Sequence, residues 1–203
     1  MIKPTLLFET LKIENGEISN LAYHQERVTR SRITLYHSKD ILNIAQSIIP
    51  PTFGLFRCRI VYHTHILSIE YIPYKPKNIH TLHIVSTQLD YALKYVNRKD
   101  IDTLKQLHLQ CDDILMEKNG YITDTSIANI AFFDGGKWYT PKKALLDGTT
   151  RSKLIKEGFL VQKDIKKEDL GKYSHVALMN AMIGFNILKN IKIYTTQGIV
   201  YDY

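Results

Sequence analysis

The chain has 203 residues, 44% hydrophobic and 23% charged, the balance of a globular protein of one domain or two small ones. It carries 27 Lys and Arg against 20 Asp and Glu, a net charge of +7 that attracts anions, whether nucleic acid, a phosphorylated cofactor or a carboxylate substrate. This composition excludes a disordered tail, a collagen-like rod and a disulfide scaffold, and no apolar run approaches the ~18–20 residues of a membrane span. Met1-Ile2-Lys3-Pro4 runs into a strand-like stretch without an apolar leader, so a cytoplasmic location is expected. Cys58 and Cys111 lie far apart without CxxC spacing and read as reduced, buried thiols.

In chain order, residues 5–13 alternate as a strand, and Asn15-Gly16 predicts a hairpin with the return strand starting at Glu17-Ile18-Ser19. A helix is predicted from Ala22 to about Tyr36. A second is predicted from a Ser38 cap through Ile49, with Asp40 near its positive end and Pro50-Pro51 as its stop. Two strands follow, Phe53–His63 and Ile66–Ile72. Pro73–Asn78 is then the best linker, with two prolines, two lysines and no apolar periodicity. Beyond it come a strand over Thr81–Ser86 and a helix over Arg98–Asp112, with Leu104, His108 and Cys111 at helical spacing. A β-rich stretch follows: Ile114–Glu117, an Asn119-Gly120 turn, Tyr121–Thr123, Asn129–Phe133, an Asp134-Gly135-Gly136 turn and Lys137–Thr140. A short helix over Thr150–Gly158 and strands at Val176–Met179 and Ile191–Tyr194 complete the chain; Lys163–Lys172, with alternating charges, reads as a solvated face. Strands and helices mix without regular βα alternation, which predicts an α+β fold of two small domains, 1–75 and 76–203.

Several segments carry candidate chemistry, each with a plain structural alternative. His24, Arg27, Val28, Ser31 and Leu35 fall on one helical stripe, so His24 and Arg27 lie at or beside an inward face. There Arg27 needs an anion, met equally by a neighbouring carboxylate or by snorkelling to water. Lys94 stands among apolar residues just before a helix; desolvation and Arg98 would lower its pKa and favour the neutral amine that attacks carbonyls, although such lysines are mostly surface residues at helix entrances. Tyr121–Asn129 packs Asp124, Thr125, Ser126 and Asn129 into six residues, which suits either turn chemistry or the presentation of a carboxylate to a ring nitrogen. Gly148-Thr149-Thr150-Arg151 opens a helix whose N–H groups and hydroxyls suit a phosphate, or is an ordinary N-cap. His63 and His65 share a strand face while His80 and His83 would point oppositely, and no Cys or carboxylate completes a set, so no metal is expected. Nothing in the pattern points to nucleic-acid binding.

Taken in order, the segments resemble a family. Phe8-Glu9-Thr10, Asn15-Gly16-Glu17-Ile18 and His24-Gln25-Glu26-Arg27 are similar to the N-terminal pattern of class IV aminotransferases, the fold-type-IV pyridoxal 5'-phosphate enzymes that include branched-chain and D-amino-acid aminotransferases and aminodeoxychorismate lyase. Leu93-Lys94-Tyr95-Val96-Asn97-Arg98 resembles the lyase-type segment of the cofactor-binding lysine, and Asn119-Gly120 through Asp124, Ser126 and Asn129-Ile130 resembles the family's Ser-x-x-Asn-hydrophobic segment. Thr140-Pro141, Leu145 through Arg151 and Asn180-Ala181 continue the order, so the likeness runs from Phe8 to Phe185.

The resemblance implies a D-amino-acid aminotransferase-like fold, with an N-terminal domain shortened to seven residues before Phe8, a homodimer, and a small anionic amine as substrate. It implies that Lys94 bonds the cofactor and acts catalytically. Arg27 and Gly148-Thr149-Thr150 would hold its phosphate, Asn180 and Ala181 would lie nearby, and Asp124 stands where the family carries Glu, facing the pyridine nitrogen. The implied reaction is that of aminodeoxychorismate lyase, giving 4-aminobenzoate and pyruvate for folate. Arg57 and Arg59, alternating with Phe56, Cys58 and Ile60, and Asn97 are candidates to receive a substrate carboxylate, although arginines in such a strand more often line an exposed face. Amino-group transfer on a branched-chain or D-amino acid, and a non-catalytic member that binds an anion or partner, are the alternatives.

Overall fold

The computed structural model describes residues 5–202; Met1–Pro4, where a leader would begin, and Tyr203 lie outside the described residues. The chain forms two compact units. The first holds the described residues up to Pro76 together with Leu93–Asn97; the second holds Lys77–Ala92 and the described residues from Arg98 onward. The structure thus assigns 93–97 to the N-terminal unit, where the sequence division at 75/76 places them with the C-terminal one.

In the first unit, strands β1 (Leu7–Glu14) and β2 (Glu17–Ile18) close through Asn15-Gly16. Both turn residues have positive φ, 49° and 87°, which this tight hairpin demands and which Asn and Gly tolerate. With β3 (Leu55–Tyr62) and β4 (Ile66–Pro73) they form an antiparallel sheet in the order β2-β1-β3-β4. Helix α1 (Leu21–Tyr36) packs through Val28 against Leu7, Leu11 and Ile13 of β1 and Cys58, Ile60 and Tyr62 of β3. By alternation, Phe8, Thr10, Arg57 and Arg59 fall on the other sheet face.

The helix expected over Ser38–Ile49 is absent; that segment contains only one 3-10 turn, Ala45–Ser47. Its polar groups bond to the body of the unit as well as locally, without a helical ladder. Gln25 donates to the Leu42 carbonyl and accepts from the Ile44 amide. Ser38 and Asp40, expected to cap and charge a helix start, bond to each other and to the Arg32 guanidinium.

The second unit starts with β5 (Thr81–Ser86), which pairs in parallel with β6 (Asp113–Lys118), so the chain between them must cross over, and it does so through helix α2 (Lys99–Gln106). The helix expected to reach Asp112 stops at Gln106. The Asp112 carboxylate instead accepts the amides of His80 and Thr81, turning the chain into β6. Then follow β7 (Tyr121–Thr125), β8 (Asn129–Phe133), β9 (Trp138–Pro141), helix α3 (Thr149–Lys156), β10 (Leu160–Lys163), β11 (His175–Asn180), β12 (Gly184–Ile187), β13 (Lys192–Thr195) and β14 (Gly198–Asp202). The sheet runs β10-β9-β8-β7-β6-β5-β13-β14, with β11 pairing β8 and β12 pairing β11. Its core joins Leu82, Leu115, Ile130, Phe132, Val176 and Ile193. The fold is α+β and matches the predicted class. Strands β10, β12 and β14 are absent from the sequence reading, and the segment read as a solvated face carries a 3-10 turn, Lys167–Lys172, with Leu170 buried. Among the described residues no helix is long and apolar enough to cross a membrane.

Arg32 is 1% exposed and donates to the carbonyls of Asp40, His63 and Thr64 as well as to Ser38 and Asp40 side chains. Arg32→Met keeps the bulk and strips these acceptors of their donor, so urea unfolding should show a loss of about 2 kcal/mol or more. A loss below about 0.5 kcal/mol would mean that water replaces the guanidinium.

Candidate active site

β2 pairs only with Ile13 and Glu14, which leaves the start of β1 open on that edge. Residues 93–97 use that backbone: Phe8 N–H donates to the Lys94 carbonyl at 2.9 Å, Val96 N–H donates to the Leu6 carbonyl at 2.9 Å, and Tyr95 bridges Leu7. The lysine backbone is therefore held as part of a sheet rather than of a loose loop. Its half-buried side chain places Nζ 4.7 Å from the centre of the Phe8 ring, and the Arg59 guanidinium lies 5.1 Å from the same centre. Arg57, two residues along the same face, has a buried Nε with no hydrogen-bond partner among the described residues.

On the α1 side, Glu9 is wholly buried. Arg27 donates to it with Nε at 2.8 Å and a terminal nitrogen at 2.5 Å, and His24 Nδ1 lies 2.7 Å from Oε2. Burial pushes the Glu9 carboxyl upward, but the Arg27 charge and the hydrogen bonds of His24 and Arg27 outweigh it and hold the pKa at about 2. His24 is pushed down, first by burial and then by the Arg27 and Lys94 charges, against the pull of Glu9. A neutral imidazole facing an ionised carboxylate carries its proton on Nδ1, which therefore donates to Glu9.

In the second unit, Asp124 near the end of β7 is buried. Its Oδ1 accepts from Asn129 Nδ2 at 2.7 Å and its Oδ2 from the Leu146 amide at 2.8 Å. Desolvation raises its pKa to about 6 against these bonds and the more distant charge of Arg151. Asn129 also donates to the Leu146 carbonyl, so it ties β8 to the loop before α3. A side chain at Gly148 would overlap the Asn129 amide oxygen, so this position admits only hydrogen beside that tie. The first turn of α3 that follows buries Thr149, Thr150 and Arg151 and contains no acid. The Thr150 hydroxyl is buried without a hydrogen-bond partner among the described residues. Arg151 spends its guanidinium on the Pro141 carbonyl, Thr140, Asp147 and Gln162, so it braces the helix start.

Within the first unit the structure pairs Arg27, a candidate from sequence, with Glu9 and His24 on the α1 side, and places Lys94 and Arg59 together over Phe8 on the other face. Within the second it gathers Asp124, Gly148, Thr149 and Thr150. Asn180 donates to the Ile127 carbonyl of the β7–β8 turn and accepts the amides of Met182 and Ile183, with Ala181 half-buried beside it. Asn97 is exposed. His63 and His65 lie in the turn between β3 and β4, not on a strand face, and His83 stacks on His108 with ring centres 4.3 Å apart. Among the described residues no group of three or more His, Cys, Asp or Glu could hold a metal ion. Two residues lacked an assigned role: Glu9, an acid in the apolar phase Leu7-Glu9-Leu11, and Asn129. For Glu9 that misplaced polarity was a usable signal; for Asn129 only the fold reveals the contact.

The buried ion pair has a pH signature. Glu9 has a folded-state pKa of about 2, below the ordinary 4.5 of a glutamate, so its stabilising contribution is complete above about 4.5 and disappears as pH falls through 2. Glu9→Gln should therefore lower the urea midpoint at pH 7, and the gap from the parent protein should narrow as pH falls below about 4.5. A gap that stays constant with pH would show that Glu9 is not held ionised.

The family model "Amino-transferase class IV" matches residues 6–191. An uncharacterised protein of Haemophilus influenzae is 41% identical over 185 residues, 88% of this chain and 98% of that protein. The crystal structure of a "putative 4-amino-4-deoxychorismate lyase" from Haemophilus somnus superposes with a TM-score of 0.81 at 34% identity, covering 91% of this chain and 100% of that one. The PLP-bound form of a "hypothetical aminotransferase" from Mycobacterium tuberculosis shares the fold, with a TM-score of 0.75 at 13% identity over 98% of this chain and 84% of that one. With its model matched over nearly the whole length and a full-length relative above 40% identity, the chain belongs to the class IV aminotransferase family.

Proposed function

We propose that the protein is a pyridoxal 5'-phosphate-dependent lyase that converts 4-amino-4-deoxychorismate into 4-aminobenzoate and pyruvate, acting in the cytoplasm as a homodimer. The observation that carries this reading is the sheet-held Lys94 with Arg59 over the same Phe8 ring and Arg57 alongside, an amine next to a cationic face for a substrate with two carboxylates. The Haemophilus somnus relative of similar description, matched over its full length, supports it.

The residues present suit the coenzyme. The unpartnered Thr150 hydroxyl, the acid-free first turn of α3 and the side-chain-free Gly148 match a phosphate. The buried Asp124 carboxylate matches a protonated ring nitrogen. When bound, the coenzyme supplies an aldehyde for amines and a ring that withdraws electrons. Gly148, Thr149 and Thr150 would hold the phosphate, with Asn180 and Ala181 close by, and Arg27, whose guanidinium is engaged by Glu9, is the candidate of the first unit for the same role. Asp124, ionised above about 6, would keep the proton on the ring nitrogen. Lys94 Nζ takes the proton from the substrate carbon bearing the amine and then delivers a proton to the departing enolpyruvyl group, one residue serving as base and then acid. Arg57 and Arg59, with Asn97, receive the substrate carboxylates; Arg offers paired donors in the geometry a carboxylate accepts.

Adding pyridoxal 5'-phosphate to the purified protein should produce a visible absorbance band that Lys94→Ala abolishes while remaining folded by circular dichroism. Incubation with aminodeoxychorismate should then release 4-aminobenzoate. Arg59→Ala should raise KM by about 10-fold or more with a smaller change in kcat, the loss expected for a charged hydrogen bond made mostly in binding. A stoichiometric pyridoxamine form produced by amino acids, with no 4-aminobenzoate, would assign amino-group transfer instead. A colourless protein that takes up no coenzyme would leave anion or partner binding without catalysis.

A further inference from the structure

Three donors converge on one oxygen of a buried carboxylate and none on the other. Asp113 at the start of β6 is 1% exposed. Its Oδ1 accepts from the Ser126 hydroxyl at 2.5 Å, the Ile114 amide at 2.9 Å and the Lys105 ammonium at 3.2 Å. Oδ2 is buried with no partner among the described residues. A carboxylate retained only for packing gains nothing from this lopsided arrangement, since a bare buried oxygen is costly. Its orientation serves Ser126. The carbonyl of Ser126 accepts from the Arg98 guanidinium at 2.7 Å, so this one residue of the β7–β8 turn is gripped through both its hydroxyl and its backbone.

Arg98 is the residue at which the chain re-enters the second unit after 93–97, four positions past Lys94. Its guanidinium lies 5.9 Å from the ring centre of Tyr91, a buried residue two positions before that excursion begins. The two ends of the loop that bears Lys94 are thus gathered at one guanidinium. The contact of Arg98 with Asp102, at 3.6 Å with Asp102 largely exposed, adds little to holding it.

We propose that Arg98, Ser126 and Asp113 are positioning residues: Arg98 closes the base of the Lys94 loop, and Ser126, oriented by Asp113, ties that base to the turn between Asp124 and Asn129. None of the three touches coenzyme or substrate. Their effect is to limit the freedom of the lysine segment and of the turn that carries the buried carboxylate, the support from beneath that a reacting group needs to stay in register. This inference rests on the role given above to Lys94.

The test uses Arg98→Ala and Ser126→Ala in the full chain, with three readouts: the melting midpoint without coenzyme, the affinity for pyridoxal 5'-phosphate by absorbance titration, and the pH midpoint of the bound absorbance. Both variants should bind the coenzyme about 10-fold more weakly or worse, the loss expected for a hydrogen bond with a charged partner. Both should shift the pH midpoint while melting within about 3 °C of the parent protein. Millimolar guanidinium should restore part of the affinity of Arg98→Ala and none of that of Ser126→Ala. Unchanged affinity and pH midpoint in both variants, with the parent binding through Lys94, would reject the positioning role alone. An affinity loss that only follows a large fall in melting midpoint would reject it as well, in favour of plain structural support. A parent protein that takes no coenzyme, or a Lys94→Ala variant that takes as much, would remove the role of Lys94 and this inference with it.

Discussion

The hydrogen bond from Phe8 N–H to the Lys94 carbonyl is the contact that makes residues 93–97 part of the first unit's sheet. An open strand edge invites pairing, and proteins usually blunt or cover it. Here β2 is only two residues long, and the uncovered start of β1 is taken up by five residues borrowed from the crossover between β5 and β6. A parallel pair of strands needs a long crossover in any case, so the length that topology requires also supplies Lys94 to a sheet. The arrangement explains why Lys94 stands in an extended stretch before α2 rather than on the helix itself, where its backbone would be committed to the helical ladder.

Beneath that sheet the first unit carries a cluster of buried charge that would be prohibitive if unpaired. Glu9, Arg27 and His24 resolve it as one anion, one cation and one neutral ring, with two guanidinium nitrogens and the imidazole directed to a single carboxylate. The opposite face is treated differently: Arg59 and Lys94 share an aromatic ring, and the Arg57 Nε is left without an acceptor among the described residues. The unit therefore neutralises the buried charge on the face packed against α1 and gathers cationic side chains on the other, where Lys12 pairs with Glu14.

The periodic and the punctuated parts of the fold were legible. Alternation and Asn-Gly locate β1 and its turn, the 3.6-residue stripe locates α1, and the apolar run Thr81–Ser86 coincides with β5. The failures share a cause. Ser38 and Asp40 form a sound capping pattern, yet Arg32, six and eight residues earlier in sequence, outcompetes the helix start for both side chains. Asp112 belongs to a helical stripe until the amides of His80 and Thr81, thirty-odd residues away, claim its carboxylate. Strand β12 needs β11 beside it before its four residues become a strand. At the site, residue types were readable but their partners were not. Arg27 was seen to need an anion, and Glu9 was in plain view as the one acid in an apolar alternation. The tie of Asn129 to both Asp124 and Leu146 spans seventeen residues and leaves no mark on local pattern.

Asp124 shows how the chain manages a side chain one methylene shorter than the glutamate of the family pattern. The protein brings its own groups to the carboxylate: Asn129 from β8 reaches one oxygen and the Leu146 amide the other, and Gly148 leaves room for the Asn129 side chain. Both donors are neutral, and the positive charge acting on the group, that of Arg151, is spent on other acceptors. Neutral hydrogen bonds orient a carboxylate but do not offset the loss of water around its charge, which is why burial wins and the pKa rises to about 6. The result is a fixed, desolvated carboxylate that is ionised at neutral pH without a full countercharge, a state that gains from any cationic partner brought to it. A ring nitrogen carrying a proton would supply the positive charge that Asn129 and Leu146 cannot.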